Sequence, residues 1–162
     1  MTASAETSSA NMASPRLDWG KLDHVALSTA DLDATVRFYQ DVLGFRLAGV
    51  GEPNELHGRH ALLMMGEAGG GMHFFEHPDA ARILPETLVH TISFFRPGFL
   101  QHIAFTLPSQ EAALMLQERL QQQGVSMTPI MDQGASSNLI FLDNMGIMLE
   151  ATWAKNTQPD QG

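Results

Sequence analysis

Apolar residues recur along the chain in two patterns, short runs bounded by turn residues and longer stretches with helical spacing. Strands are predicted by the runs at 21–28, 45–50, 59–65 and 72–76. Between the first two runs, apolar positions at helical spacing follow Asp31, which is a suitable N-cap. The first half of the chain is therefore predicted to have the order strand, helix, strand, strand, strand.

The second half repeats this order. The run at 99–106 is followed by helical spacing that begins after Ser109 and ends at Gly124. Three further strands are predicted at 125–130, 138–142 and 147–153.

The first strand of each half carries a histidine at the same place. At an offset of 78 residues His24 aligns with His102, and the neighbouring Leu22, Val25, Ala26 and Ser28 align with Leu100, Ile103, Ala104 and Thr106. A repeat at a fixed offset indicates one structural unit used twice. Because side chains alternate between the faces of a strand, both histidines are expected to project away from the helices.

The last strand of each half carries a glutamate among apolar residues. Glu76 shares a strand face with Phe74, and Glu150 shares one with Met148. A bare carboxylate is costly to bury, and a metal ion is one way to neutralise it. We expect the repeat to place the two glutamates alike, so that both can converge with the two histidines if the sheets form a cup.

Composition narrows the classes of function. Lys and Arg number 9 against 18 Asp and Glu, and the net charge of −9 argues against nucleic acid or an anionic membrane surface as a partner. The absence of cysteine excludes disulfides and thiolate metal sites and fits a cytoplasmic location. The first twenty residues lack the apolar segment of a signal peptide, and no stretch approaches the roughly 18 apolar residues of a membrane span.

The chain length fits a single domain with short flanking segments. A flexible arm is predicted at 1–19 and a loose tail at 154–162. The domain between them, 20–153, consists of module one, an apolar and proline-containing connection and module two, at 20–76, 77–98 and 99–153. An apolar connection of this length is expected to act as a lid or to contact a second chain.

Several of these motifs together resemble the vicinal-oxygen-chelate superfamily of glyoxalases, bleomycin resistance proteins and extradiol dioxygenases. The resemblance covers about residues 20–153 and is carried by the following segments: His24-Val25-Ala26-Leu27, Asp31-Leu32-Asp33, Phe38-Tyr39, Val42-Leu43-Gly44-Phe45, Leu100-Gln101-His102-Ile103-Ala104-Phe105, Gly124-Val125, Phe141-Leu142-Asp143 and Leu149-Glu150. It implies an α+β fold in which two βαβββ modules form a cupped mixed sheet.

The resemblance also implies a divalent metal ion, one of Zn, Ni, Fe, Mn or Co, bound at the positions of His24, Glu76, His102 and Glu150. Metal-free members commonly lack such residues, so their joint presence favours an enzyme. A homodimer is expected, and some members build each site from two chains.

The chemistry implied is glyoxalase-like lyase or isomerase chemistry on a small molecule that is chelated through two adjacent oxygens. The metal ion acts as a Lewis acid in such a site. Glu150 or Glu76 is then the candidate base at a carbon next to a carbonyl.

Two alternatives remain open. In an Fe(II) extradiol dioxygenase, His24, His102 and Glu150 would form the facial triad, although the only tyrosine, Tyr39, lies in the first helix rather than near the final strands.

A non-catalytic ligand-binding or sequestering protein would use an apolar cavity, although core packing is the more frequent role of apolar residues. The candidates for its lining are Phe74, Phe94, Phe95, Phe99, Met64 and Met148.

The remaining histidines are expected to be solvent or loop residues, except that His90 or His73 could serve a dioxygenase as an acid or base. They are His57, His60, His73, His77 and His90.

Overall fold

The computed structural model describes residues 21–66, 69–80 and 100–155. The predicted arm at 1–19, most of the connection and most of the tail lie outside the described residues. Within the described ranges the chain forms two four-stranded sheets, one from each module.

Module one begins with a strand and a helix and continues with three strands. Its elements are β1 (His24–Thr29), α1 (Leu32–Arg37), a π-helical turn (Phe38–Val42), β2 (Arg46–Gly51), β3 (His60–Met64) and β4 (Gly71–Glu76). The strand order in the sheet is β1-β4-β3-β2, with β1 and β4 parallel and the other pairs antiparallel.

Module two has the same topology. Its elements are β5 (Ile103–Thr106), α2 (Gln110–Gln122), β6 (Met131–Asp132), β7 (Ser136–Leu142) and β8 (Met148–Ala154). The order is β5-β8-β7-β6, again with the first pair parallel. The predicted α+β fold of two βαβββ modules is confirmed.

Both helices begin where their caps predict. The Asp31 side chain accepts a hydrogen bond from the Ala34 N–H at 2.9 Å, and the Ser109 hydroxyl accepts one from the Ala112 N–H at 3.3 Å. Gly124, with φ of +64°, adopts the left-handed conformation that ends a helix at little cost.

The prediction of a strand at 125–130 is wrong. Only Met127 in this segment forms a bridge, to Phe141, and the paired strand β6 starts at Met131. Pro129 has no N–H to donate to a ladder, which interrupts regular pairing at this point.

One hydrophobic core joins the two modules. It includes Leu63 and Phe74 from module one and Phe141 and Trp153 from module two, each at most 1% exposed. The face of each sheet that points away from this core is called here the outer face. It carries His24 in module one and His102 in module two. No helix in the described ranges is long and apolar enough to cross a membrane.

Candidate metal centre

His102 and Glu150 meet on the outer face of module two. In the parallel pair β5–β8, Glu150 lies opposite Ala104, and His102 stands two residues before Ala104 on the same face. The His102 Nε2 is 3.1 Å from the Glu150 Oε2. The side chains are 36% and 16% exposed, so an imidazole nitrogen and a carboxylate oxygen face one partly open point.

Asn138 fixes the second oxygen of this carboxylate. Its Nδ2 donates to the Glu150 Oε1 at 2.7 Å, and its own Oδ1 accepts from the Gln133 Nε2 at 3.5 Å. Asn138 lies on the adjacent strand β7 and is only 7% exposed. This chain of polar contacts holds Oε1 on the strand and directs Oε2 towards His102.

His24 stands on the outer face of module one, with a side chain that is 43% exposed. Its Nδ1 contacts the Asp23 Oδ1 at 2.6 Å. A carboxylate on one imidazole nitrogen orients the ring and makes the other nitrogen a better ligand. His24 lies on a different sheet from His102.

Glu76 is not placed like Glu150. The register puts His24 opposite Gly71 and Glu76 opposite Thr29, five residues further along β1. Because side chains alternate, Glu76 shares the core-side face with Phe74, whereas His24 occupies the outer face. The expected equivalence of the two glutamates is therefore wrong.

The carboxylate of Glu76 has structural partners instead. Its Oε1 accepts a hydrogen bond from the Leu32 N–H at 3.1 Å, at the first residue of α1. Its Oε2 is 3.7 Å from the Arg59 Nη1. Glu76 thus satisfies one of the free N–H groups at the start of the helix.

His73 occupies the module-one position that corresponds to Glu150. It lies opposite Ala26, just as Glu150 lies opposite Ala104. The repeat offset of 78 leads from position 150 to the buried Met72 instead, because the offset between the equivalent positions 73 and 150 is 77.

His73 belongs to a cluster of four histidines on the outer face, named here the histidine cluster: His24, His57, His60 and His73. Ring centroids are separated by 5.6 Å for His24 and His73, 5.2 Å for His60 and His73, and 4.7 Å for His57 and His60. Burial and then the neighbouring imidazoles lower the pKa of His73, which favours its neutral form. His60 and His73 are strand residues, so their prediction as solvent or loop residues is wrong.

Within the described ranges, no three or more His, Asp or Glu side chains are arranged to hold a metal ion. The His102–Glu150 pair fits as part of such a site, because it offers one imidazole nitrogen and one carboxylate oxygen to the same point. A complete site would need further ligands besides His102 and Glu150.

Tyr39 lies away from both outer faces. It is fully buried, and its hydroxyl donates to the Asp143 Oδ2 at 3.0 Å. Burial, followed by the charge and hydrogen bond of Asp143, raises the pKa of Tyr39 well above its usual value. Burial also raises the pKa of Asp143, although hydrogen bonds from Ile147, Tyr39 and other groups oppose this effect.

Most residues that could have formed an apolar ligand cavity are core residues or lie outside the described ranges. Phe74 is fully buried and Met148 is 9% exposed, whereas Phe94, Phe95 and Phe99 are not described. A cavity of about 490 Å³ lies at the junction of the modules and is lined by Arg37, Asn144 and others, but not by His102 or Glu150.

Comparison with known proteins identifies the class. The family model described as the Glyoxalase/Bleomycin resistance protein/Dioxygenase superfamily matches residues 21–151. The chain therefore belongs to this superfamily, the vicinal-oxygen-chelate superfamily that the sequence motifs resemble. Among curated proteins, none matches the chain significantly.

Solved structures agree with this assignment. A glyoxylase/bleomycin resistance protein/dioxygenase domain from Frankia sp. EAN1pec has 26% identity and a TM-score of 0.68, with 85% of this chain and 99% of that chain covered. The fosfomycin resistance protein FosX from Listeria monocytogenes, complexed with Mn(II) and sulfate, has 20% identity, a TM-score of 0.60 and coverages of 85% and 95%. TnmS3, an antibiotic-binding protein from Streptomyces sp. CB03234, has 17% identity, a TM-score of 0.62 and coverages of 86% and 100%.

Proposed function

We propose that this protein is a divalent-metal-dependent enzyme with glyoxalase-like lyase or isomerase chemistry on a small molecule that binds through two adjacent oxygens. His102 and Glu150 form the nucleus of the metal site, and His24 is the third ligand. The observation that carries the proposal is the 3.1 Å approach of the His102 Nε2 to the Glu150 Oε2 on a partly open face. The Mn(II) complex of FosX supports a metal on this fold.

A bound divalent ion would supply Lewis acidity for a developing oxyanion. Residues of the chain itself would accept the proton and hold the base in position. Glu150 accepts the proton from a carbon next to a carbonyl, since its Oε2 faces the open side of the strand. Asn138 keeps Oε1 in place at 2.7 Å, so Oε2 is the oxygen left to hold the ion or to take up the proton.

Glu76 has no part in this proposal, because it lies on the core-side face and its Oε1 accepts from the Leu32 N–H. The site is therefore expected to contain one glutamate, Glu150, that serves both as ligand and as base.

A second copy of the chain is the proposed source of His24. Exposed apolar residues stand two positions before His24 and His102 in the sequence, Leu22 at 68% and Leu100 at 61% exposure. Exposed apolar residues next to candidate ligands favour burial against another chain. In the proposed homodimer, the outer face of module one covers the outer face of module two of the other copy, so that His24 approaches His102 and Glu150.

Two other functions are the alternatives to this proposal. An Fe(II) dioxygenase would use His24, His102 and Glu150 as its triad, but the buried position of Tyr39 removes the only tyrosine from the reaction. A metal-free antibiotic-binding protein is supported by the fold of TnmS3. Metal content and oxygen consumption with catechols separate these alternatives from the proposed lyase or isomerase.

The first experiment is elemental analysis of protein purified without added metal, repeated on His102→Ala and Glu150→Ala. Both variants are expected to lose the metal, whereas the control His77→Ala, at an exposed loop histidine, is expected to keep it. Metal retained at full occupancy in either site variant would overturn the proposal, as would a metal-free wild-type protein that still binds no ion when Zn²⁺, Ni²⁺ or Mn²⁺ is added.

Mixing two inactive variants tests the shared site. His24→Ala and His102→Ala chains, unfolded together and refolded, can form a mixed dimer in which one site has lost both histidines and the other has lost neither. Metal binding and turnover of a 2-oxo substrate should reappear on mixing. If each pure variant and the mixture stay equally metal-free, His24 does not come from a second copy.

A further inference from the structure

A small apolar cavity lies on the core side of β5 and β8. Its volume is about 190 Å³. Phe105 on β5 and Ala151 on β8 are opposite each other in the sheet, and both line the cavity. Because side chains alternate along a strand, the cavity and the Glu150 carboxylate lie on opposite faces of the same sheet. The cavity is therefore separate from the candidate metal centre.

Ten of the eleven residues that line this cavity are apolar. Three of them are phenylalanines, and the rings of Phe45 and Phe105 meet edge to face with centroids 5.5 Å apart. Ala112 and Ala151 leave space in the lining that larger side chains would fill. Protein interiors rarely leave apolar space of this size, and an apolar cavity of about 150 Å³ can hold benzene. The cavity thus has room for one six-membered ring.

Arg119 is the one charged residue in the lining. Its Nη1 donates to the Val42 carbonyl at 3.5 Å and lies 3.4 Å from the position that a Cβ atom at Gly44 would take. The guanidinium therefore lies over the end of the π-helical turn. In the described part of the chain it forms no ion pair and no other hydrogen bond, so most of its five N–H donors are left for a ligand.

The sign of the charge separates this cavity from the larger one at the junction of the modules. Within the described ranges, no Asp or Glu lines the smaller cavity beside Arg119. In the larger cavity, Asp41 and Asp143 share the lining with Arg37. An anion is therefore favoured in the smaller cavity and disfavoured in the larger one.

Met115 forms part of the lining on the solvent side. Its side chain is 55% exposed although it is apolar. Methionine is flexible and adapts to ligands of irregular shape. A ligand can therefore enter past Met115 and then cover it.

We propose that this cavity binds a small apolar carboxylate of about the size of benzoate. The ring of the ligand lies among the phenylalanines, since edge-to-face and offset contacts between aromatic rings are favourable. Its carboxylate pairs with Arg119, because the parallel N–H groups of a guanidinium match the two oxygens of a carboxylate. All these contacts lie on the core side of the sheet, so binding requires neither a metal ion nor the His102–Glu150 pair.

The first experiment titrates benzoate into the full chain carrying His102→Ala and Glu150→Ala, because a carboxylate can also bind a metal ion held by that pair. Binding is followed through the NMR signals of the methionine methyl groups. The Met115 signal should shift and saturate, whereas the signal of Met64 on β3, outside the lining, should stay. Benzamide has the same shape without the charge and should bind about tenfold more weakly.

Two pairs of variants separate recognition of the charge from recognition of the ring. Arg119→Gln should lower the affinity for benzoate about tenfold, to that of benzamide, whereas Arg37→Gln at the larger cavity should leave it unchanged. Ala112→Leu fills the cavity and should abolish binding of both probes. Gln121→Leu, at an exposed position of α2 outside the lining, should not affect binding. Thermal melts without benzoate verify that each variant folds.

Several results would overturn the inference. They are a Met115 signal that does not shift, equal affinities for benzoate and benzamide, or binding that survives Arg119→Gln or Ala112→Leu unchanged. Loss of binding in Arg37→Gln would place benzoate in the larger cavity and contradict the assignment as well. Because the background variant lacks His102 and Glu150, these results leave the proposed enzyme site untouched, and failure of that site leaves this test valid.

Discussion

Tyr39 and Asp143 are 104 residues apart in the sequence and form a hydrogen bond of 3.0 Å in the interior of the protein. Tyr39 is fully buried and Asp143 is 6% exposed. The bond connects the π-helical turn of module one to the turn between β7 and β8 of module two. Beside it, the Asn144 Nδ2 donates to the Thr35 Oγ1 at 2.9 Å. The two modules are therefore joined by specific polar contacts as well as by the shared core.

Removing the tyrosine hydroxyl should destabilise the protein. Tyr39→Phe leaves the Asp143 Oδ2 buried with one donor fewer, and such a loss costs about 1–3 kcal/mol. Urea unfolding measures this cost, and a double-mutant cycle with Asp143→Asn isolates the pair. A change in the free energy of unfolding below about 0.5 kcal/mol, the range of ordinary surface substitutions, would contradict the prediction.

Stability should also fall at alkaline pH. The pKa of Tyr39 is raised well above 10.0 in the folded protein, chiefly by burial. Above pH 10 the unfolded chain loses this proton while the native protein keeps it, so the free energy of unfolding decreases as pH rises. Since Tyr39 is the only tyrosine, tyrosinate absorbance reports this group alone.

The expected result is that tyrosinate absorbance appears only when the protein unfolds. Tyr39→Phe should remove this part of the alkaline destabilisation and leave the part due to lysines. Tyrosinate absorbance in the native protein near pH 10 would mean that the phenol is not protected.

Substitution of Glu76 distinguishes a helix-capping role from a metal ligand. Glu76→Ala frees the Leu32 N–H at the start of α1 and should cost about 0.5–2 kcal/mol, as loss of a capping side chain does. Glu76→Gln keeps an acceptor oxygen and should cost less. Metal content should stay at the wild-type level in both, and elemental analysis that finds the ion gone would return Glu76 to the metal site.

Asn138 should influence the metal without touching it. Asn138→Ala releases the Glu150 Oε1 and should lower metal affinity about 10–100-fold, the usual effect of removing a partner that orients a ligand. Gln122→Ala, which removes only an exposed contact to Glu118 on α2, serves as the control. Equal affinities for the wild type and Asn138→Ala would show that Glu150 is oriented by other contacts.

Most of the elements could be predicted because they depend on local rules, and the repeat together with the family resemblance indicated the His102–Glu150 pair. A cap such as Ser109 decides where a helix begins. Alternation along a strand decides which way a side chain points. The prediction for Glu76 is wrong because a place at the end of a strand does not make this residue equivalent to Glu150. The register of a strand decides which face of the sheet a residue occupies, and a shift of one residue moves its side chain to the other face.

The Tyr39–Asp143 bond lies beyond such rules. It depends on how two modules pack, and nothing in the sequence around either residue specifies a partner 104 positions away. The histidine cluster is an intermediate case. The alternation of His60 with the buried Ala61, and of His73 with the buried Phe74, already put both imidazoles on the outer face, but β3 and β4 had to be paired before the rings could be seen as neighbours.

Alternation along the strands also separates two roles in this chain. Leu149 and Ala151 pack in the interior while Glu150 between them faces outward, and the same holds for Met72 and Phe74 around His73. Two modules of one topology thus carry imidazoles on one outer face and a carboxylate with its amide on the other, over a core of the same design. Reactivity in this architecture can evolve at every second residue of a strand, at positions that the stability of the domain does not constrain.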